Sequence, residues 1–383
     1  MSTEVNLKQG LRKLEYPICA KEALYKIYDL ICSRITSIKN MDLALDLMAE
    51  FVFYEVDRRG HKRAQSLSPL QELQLVKILY EYFDTLTSES GRNTVFLSLF
   101  SGTTINSRLG VLTKFISMGI GIPSTKILSS ASAWMQQLGN TSPNSCKFAE
   151  GLIQDYFHFY VSSTEKITAL PEISLEFTAN FLTAIAENYY NTSNKKTTTL
   201  PPSKFIFPPQ KLLETVTLWI SQNTSLCIAA QQKQAVLPPG AIAMEATTPI
   251  AGLLKWCILA PIYRQDSKEY TDLHLALLNS IMEIPKSTPP KAVCAQHLTS
   301  SINPILTFVN DLKNKQEKKF SEIINEDALQ LSLDRFAQAI QVIASVNAMY
   351  GHTDDLYHQI KILPFNKLMN IIQNNYKNKV VVL

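Results

Sequence analysis

Apolar residues along this 383-residue chain return at steps of three and four far more often than at every second position. That is the period of a helix with one buried face, not of a half-buried strand. In "PICAKEALYKIYDLICSRITSI" the series is Ile27, Leu30, Ile31, Ile35 and Ile38. "SPLQELQLVKILYEYFDTL" carries Leu73, Val76, Leu79, Phe83 and Leu86 and opens with start signals. Ser68 is placed as N-cap and Pro69 as the first helical residue, and Gln71 completes an S-x-x-Q capping box. Helices are also expected over "RLGVLTKFISMG", "STKILSSASAWMQQLG" (closed by Gly139), "CKFAEGLIQDYFHFY" and "SLEFTANFLTAIAENYY". The last holds Phe177, Phe181, Ile185 and Tyr189 at steps of four.

The period stops in "NTSNKKTTTLPPSKFIFPP", whose Thr, Lys and Pro content suits a linker and not a regular helix. It resumes over "QKLLETVTLWISQ", "TPIAGLLKWCILAP", "TDLHLALLNSIM", "KAVCAQHLTSSINPILTFVNDL", "DALQLSLDRFAQAIQVIASVNAMY" and "PFNKLMNIIQNN". About a dozen helices joined by short polar connections, each with one apolar face, are the units of a helical solenoid. No tetratricopeptide or ankyrin consensus recurs, so the expected fold is all-α, an irregular helical-hairpin solenoid of the HEAT/ARM-like kind. Residues 1–190 would form its N-terminal half, 191–209 a Thr/Lys/Pro-rich linker, and 210–383 the C-terminal half of the same solenoid.

Composition narrows the class. Only 12 glycines occur, too few for folds that depend on phosphate-cradling loops, and the net charge of +4 lacks the concentration of a typical nucleic-acid binder. Six cysteines stand singly with no C-x-x-C pair, which argues against zinc or a disulfide framework and fits a reducing compartment. The N-terminus lacks the apolar run of a secretory signal, so the N-x-S/T triplets at Asn140, Asn191 and Asn223 read as chance matches. "PIAGLLKWCILAPIY" is interrupted by Lys255 and falls short of the roughly 20 apolar residues a membrane span needs. The expectation is a soluble intracellular protein.

Candidate chemistry is sparse. "AMYGHTDDLYHQ" brings His352 next to Asp354 and Asp355, the raw material of a metal or proton-transfer site. The capping reading explains more of the segment. The preceding helix, with Leu329, Leu333, Phe336, Ile340 and Ile343 on one face, would run out near Tyr350. Gly351 would supply a left-handed cap, Thr353 would cap the next helix, and both aspartates would sit in its first turn. His352 would point to water. His274 reads as an interhelical or surface histidine and His158 as helix packing, and "GIGIP" is a G-x-G with no strand before it. No G-x-S-x-G, H-E-x-x-H or Walker-type sequence occurs, so catalytic residues, cofactor and metal are all expected to be none. Two basic runs remain: "DRRGHKR" with Arg58, Arg59, Lys62 and Arg63, and "KNKQEKK" with Lys318 and Lys319. Both suit solvated loops; the sharper alternative is a phosphate contact or an import signal. Neither interleaves aromatics for base stacking.

The strings "LMAEFVFYEV", "SLSPLQELQLVKILYEYF", "LSLFS", "TPIAGLLKWCILAPI", "DLHLALLNSIM" and "LSLDRFAQAIQVI…DDLYHQIKILPFNKLMNII" occur in an order that resembles the Integrator complex subunit 15 family. The likeness runs from about Ala20 to Ile372 and rests on helix faces, so it carries over no active residue. It implies a non-catalytic helical scaffold or adaptor of the nuclear Integrator complex. That assembly cleaves small nuclear RNA and nascent RNA polymerase II transcripts. The implied partners are other Integrator subunits, in a peripheral module with subunits 10, 13 and 14, and RNA polymerase II indirectly. A proline- and histidine-rich C-terminal extension associated with vertebrate members is not found after Tyr376. His352 lies outside the family pattern, although Asp354, Asp355 and Leu356 belong to it. The alternative from another class is a helical-repeat RNA-binding protein that uses the basic loops. The strings "EYF", "DYFHFY" and "ENYY" suit either an interface or a core.

Overall fold

The computed structural model describes residues 2–33, 37–64, 67–159, 164–190, 205–263, 268–285, 291–314 and 322–380. Apart from one two-residue strand pair and isolated bridge residues at Val56, Lys62 and Phe205, the regular structure of these described residues is helical. They divide into two units, Met1–Phe177 with Gln234–Ala246, and Thr178–Lys233 with Thr247–Leu383. Residues 191–204 of the expected linker lie outside the described residues.

The first unit begins with α1 (Ser2–Leu11), α2 (Ile18–Ile31) and α3 (Ile38–Leu47). It continues with α4 (Pro69–Thr85), α5 (Glu89–Leu99), α6 (Ile105–Gly121), α7 (Thr125–Leu138) and α8 (Pro143–Ile153). Two short helices, α9 (Thr164–Thr168) and α10 (Leu170–Ile173), lead into α11 (Leu175–Asn188), within which the first unit ends. Helix α4 packs on α6, α5 on α7 and α6 on α8, the next-but-one packing that makes the fold solenoid-like. Aromatic rings fill the space between the layers. Phe83 meets Phe96 at 5.7 Å and Phe115 at 5.4 Å between centroids, in tilted and edge-on arrangements that suit their quadrupoles. Trp134 donates its indole N–H to the Phe100 carbonyl at 2.7 Å, so even its polar atom is satisfied inside. The irregular segment Gln234–Ala246 joins this unit by hydrogen bonds: the Asn93 side-chain amide donates to the Val236 carbonyl at 2.7 Å, and Met244 N–H donates to the Gln136 carbonyl at 3.0 Å.

The capping box that opens α4 is present in both directions, with Ser68 Oγ accepting from Gln71 N–H and Gln71 Oε1 accepting from Ser68 N–H. The apolar stripes need correction. Leu73 is 61% exposed while Leu75 is buried beside Val76, Leu79 and Phe83. Ile38, placed at the end of one long stripe, instead opens α3 and is 81% exposed.

The second unit takes the rest of α11, then α12 (Gln210–Gln222), α13 (Ala229–Gln232), α14 (Ile250–Tyr263) and α15 (Lys268–Met282). After β1 (Val293–Cys294) come α16 (Ala295–Thr299), α17 (Ile302–Asn314) and α18 (Glu322–Ser345). Strand β2 (Met349–Tyr350) pairs in parallel with β1, and α19 (Thr353–Ile360) and α20 (Lys367–Val380) follow. Helix α14 is the centre of this unit, packed by α15, α16, α17 and α18, and twelve of its residues from Ile250 to Ile262 are buried. A helix covered on most sides must be apolar all round, which explains the run "PIAGLLKWCILAPIY". No helix among the described residues is long and apolar enough to cross a membrane. Gly252 lets α14 approach α11, since a Cβ there would lie 2.8 Å from the Ala186 Cβ. Trp256 donates to the Ala186 carbonyl at 3.1 Å across the same contact.

The single helix expected over 291–312 is three elements, β1, α16 and α17. Pro304 has no N–H to give to an i−4 carbonyl, and here it occupies the first turn of α17, where none is needed. Tyr82, Phe83, Tyr156, Phe157, Tyr189 and Tyr190 from the aromatic-rich strings are all buried, so these belong to the core.

Candidate functional site

The run "DRRGHKR" forms a tight hairpin in the first unit. Val56 and Lys62 form an antiparallel bridge, Asp57 N–H donates to the His61 carbonyl at 2.8 Å, and Arg63 N–H donates to the Glu55 carbonyl at 2.9 Å. Asp57 fixes the turn, accepting at one oxygen from the amides of Arg59 (2.8 Å) and His61 (2.9 Å). Those two bonds, His61's first, hold its carboxyl below the usual aspartate range. Gly60 takes φ of 81°, a left-handed value that glycine adopts without steric cost. The loop presents Arg58, Arg59 and Lys62 to solvent.

Arg63 is also exposed but is otherwise engaged. Its guanidinium lies 4.4 Å from the Tyr54 ring centroid, and its Nε donates to the Val56 carbonyl at 2.9 Å. The hairpin's base is held by ion pairs with buried members. Arg108 donates to both oxygens of Glu55 at 2.9 and 2.5 Å, and Arg12 to both of Glu50 at 2.8 and 3.1 Å. Three outward cations on a rigid turn can meet phosphate oxygens or acidic side chains. The neighbouring ring, Tyr54, is covered by Arg63 and by Tyr16 at 5.0 Å, so no stacking platform adjoins them. Lys318 and Lys319 of the second basic run lie outside the described residues. The Asp-x-x-Gly spacing of Asp57 and Gly60 was the local signal from which the hairpin could have been read.

The histidine–aspartate segment is a junction between elements, with its parts in different places from those expected. Helix α18 stops at Ser345 and not near Tyr350. Its left-handed residue is Asn347, φ 56°, with Ala348 N–H donating to the Ile343 carbonyl (3.2 Å) and Asn347 N–H to that of Ala344 (3.4 Å). Those two bonds are the Schellman pattern, which asparagine can serve as well as glycine. Gly351, φ 88°, follows β2 instead, and a Cβ there would collide with the Gln296 amide. The N-cap of α19 is His352, whose side chain makes no capping bond, and Thr353 is already helical. Asp354 and Asp355 occupy the first turn, where they complement the helix dipole. Among the described residues no group of three or more His, Cys, Asp or Glu is placed to hold a metal ion.

His274 is buried, with Nε2 3.2 Å from Gln338 Oε1, and burial pulls its pKa down to about 4. It is therefore a neutral core histidine. His158 is exposed and does not pack, because the turn buries Tyr156 and Phe157.

The model of the Integrator complex subunit 15 family matches residues 5–365, a span that takes in the hairpin and the α18–α19 junction. A Drosophila melanogaster protein named Integrator complex subunit 15 is 34% identical over 98% of this chain and 98% of its own length. The Homo sapiens protein of that name is 25% identical over 96% of this chain and 86% of its own, and the Danio rerio protein 25% over 96% and 80%. A match that continues through both units at these identities places the whole helical framework in one lineage: the chain belongs to the Integrator complex subunit 15 family.

Proposed function

We propose that the chain is a non-catalytic scaffold subunit of the nuclear Integrator complex. It joins a peripheral module with subunits 10, 13 and 14 to the assembly that cleaves small nuclear RNA and nascent RNA polymerase II transcripts, and meets the polymerase only through that assembly. One observation supports this reading above the rest: the family match covers almost the whole helical framework and is not confined to one cavity or loop. A fold kept along its length suits a protein whose work is done by its surfaces. Purification of the tagged full chain from nuclear extract, with quantitative mass spectrometry, tests it. The expected result is co-recovery of Integrator subunits, those of the peripheral module in near-equal amounts. Recovery of ribonucleoprotein without them would overturn it.

A second reading, RNA binding, has the hairpin in its favour, since Arg58, Arg59 and Lys62 are held outward on a fixed turn. Three cations make a modest phosphate contact. The scaffold reading accounts for more of the chain.

A further inference from the structure

Within the second unit, α12 and α15 lie side by side in the same chain direction. Gln210 Nε2 donates to Glu269 Oε1 at 3.3 Å near their N-terminal ends, and Ser280 Oγ donates to the Thr224 carbonyl at 2.6 Å near their C-terminal ends. A groove of about 560 Å³ runs along the pair. Helix α12 gives it Glu214, Leu218 and Ser221, and α15 gives it Glu269, Asp272 and Leu275. Steps of three and four put each set on one helix face. The lining on α15 runs from Glu269 to Asn279, ten helical steps or about 15 Å, nearly three turns.

The floor is apolar and open. Leu218 is 39% exposed and Leu275 53%; Met282, one heptad beyond Leu275 and outside the lining itself, is 50% exposed. Leucine and methionine at this spacing form a seam that a further helix would cover. The groove's N-terminal end is acidic, with three carboxylates and no lysine or arginine among its lining residues. Lys211 offsets Glu214 at 2.9 Å. Glu269 and Asp272 are left, and one oxygen of Glu269 is buried without a hydrogen-bond partner. The dipole of α15 accounts for a carboxylate in its first turn at Glu269. It does not account for the exposed leucines beside it.

We propose that this groove receives a short basic amphipathic helix of a protein partner. Apolar residues at i, i+4 and i+7 seat against Leu218 and Leu275, and a lysine or arginine near one end pairs with Glu269 and Asp272. Two parallel helices form the walls and the incoming helix buries the seam, which is the helix-in-groove mode of recognition. The acidic end repels phosphate, so the occupant is a peptide and not a nucleic acid. The inference rests on the reading of this chain as an interaction subunit and names one of its surfaces.

The test is site-specific cross-linking in the full chain, with benzoylphenylalanine replacing Leu275, followed by purification from nuclear extract and mapping of the linked peptide. The expected product joins Leu275's position to an amphipathic segment of a protein carrying lysine or arginine. Glu269→Lys with Asp272→Lys should lower its yield about ten-fold or more. Circular dichroism monitors folding, and Glu269→Gln with Asp272→Asn replaces the reversal if helicity is lost. No protein cross-link, a link to nucleic acid or to an acidic segment, or a yield unchanged by these substitutions would overturn the groove. Integrator subunits in the same preparation are counted separately. Their presence without a cross-link retires the groove alone, and a cross-link to a basic helix without them retires the Integrator reading alone.

Discussion

Gly351 and Asn347 both stand at positive φ, 88° and 56°, yet only one of them needs to be glycine. Asn347 closes α18 at an exposed position, and asparagine tolerates this region. At Gly351 a β-branched residue is strained by the backbone itself, and its Cβ would also push the exposed Gln296 side-chain amide aside. Gly351→Val is therefore expected to cost at least roughly 1–3 kcal/mol in urea unfolding, while His352→Ala leaves the midpoint near that of the parent. Stoichiometric zinc or manganese binding lost in His352→Ala would show the junction to be a metal site after all. His274 sets a pH dependence whose sign is fixed by burial, with Gln338 opposing and Arg335 reinforcing the depression of its pKa. Its folded pKa is about 4 against 6.5 unfolded. Above pH 6.5 both states are neutral and nothing is lost; as the pH falls toward 4 the unfolded state alone takes up a proton. The loss is on the order of 2 kcal/mol by pH 5. Unfolding at pH 7.5 and 5 should show this difference, and His274→Gln should remove it.

At the scale of elements, what was legible was local. The capping box of α4 lies within four consecutive residues, and both of its bonds form, Gln71 Oε1 accepting from Ser68 N–H at 2.9 Å. Ser68→Ala should lower stability by about 1 kcal/mol, visible as a drop in melting temperature with unchanged far-ultraviolet dichroism; no drop would mean that the box is redundant with packing. What was not legible depended on neighbours distant in the chain. Helix α4 carries apolar residues on two overlapping faces, Leu70 and Leu73 on one and Leu75 and Leu79 on another. Periodicity offers both phases, and only the packing of α6 and α7 against α4 decides that Leu75 is buried and Leu73 exposed. The split of residues 291–312 has the same origin, because β1 exists only through its pairing with Met349 and Tyr350. The basic hairpin was half legible. Its charges are plain in the sequence, but the engagement of Arg63 with Tyr54 needs the folded turn.

For the whole molecule, the helical period and the family strings were enough to reach the fold class and the lineage, because both are written in consecutive residues. The two units were not, since their boundary falls inside α11 and one unit reclaims Gln234–Ala246 from far along the chain. The test that separates scaffold from RNA binder also acts at this scale, and the structure sharpens its design. Arg63 must be left intact, because it holds Tyr54 and the Val56 carbonyl and its loss would perturb the hairpin itself. Arg58→Glu, Arg59→Glu and Lys62→Glu alter only outward charges. If partners attach through buried apolar seams, this triple variant co-purifies the same Integrator subunits as the parent, at unchanged ratios. If the loop instead binds RNA, RNA retention falls. The parent's log affinity should then decline with log salt more steeply than the variant's by about 2, the slope for three phosphates on a single strand. Unchanged subunit recovery with unchanged RNA retention is the expected result. A lost salt slope would move the hairpin from a solvated turn to a nucleic-acid contact, without disturbing the helical framework that carries it.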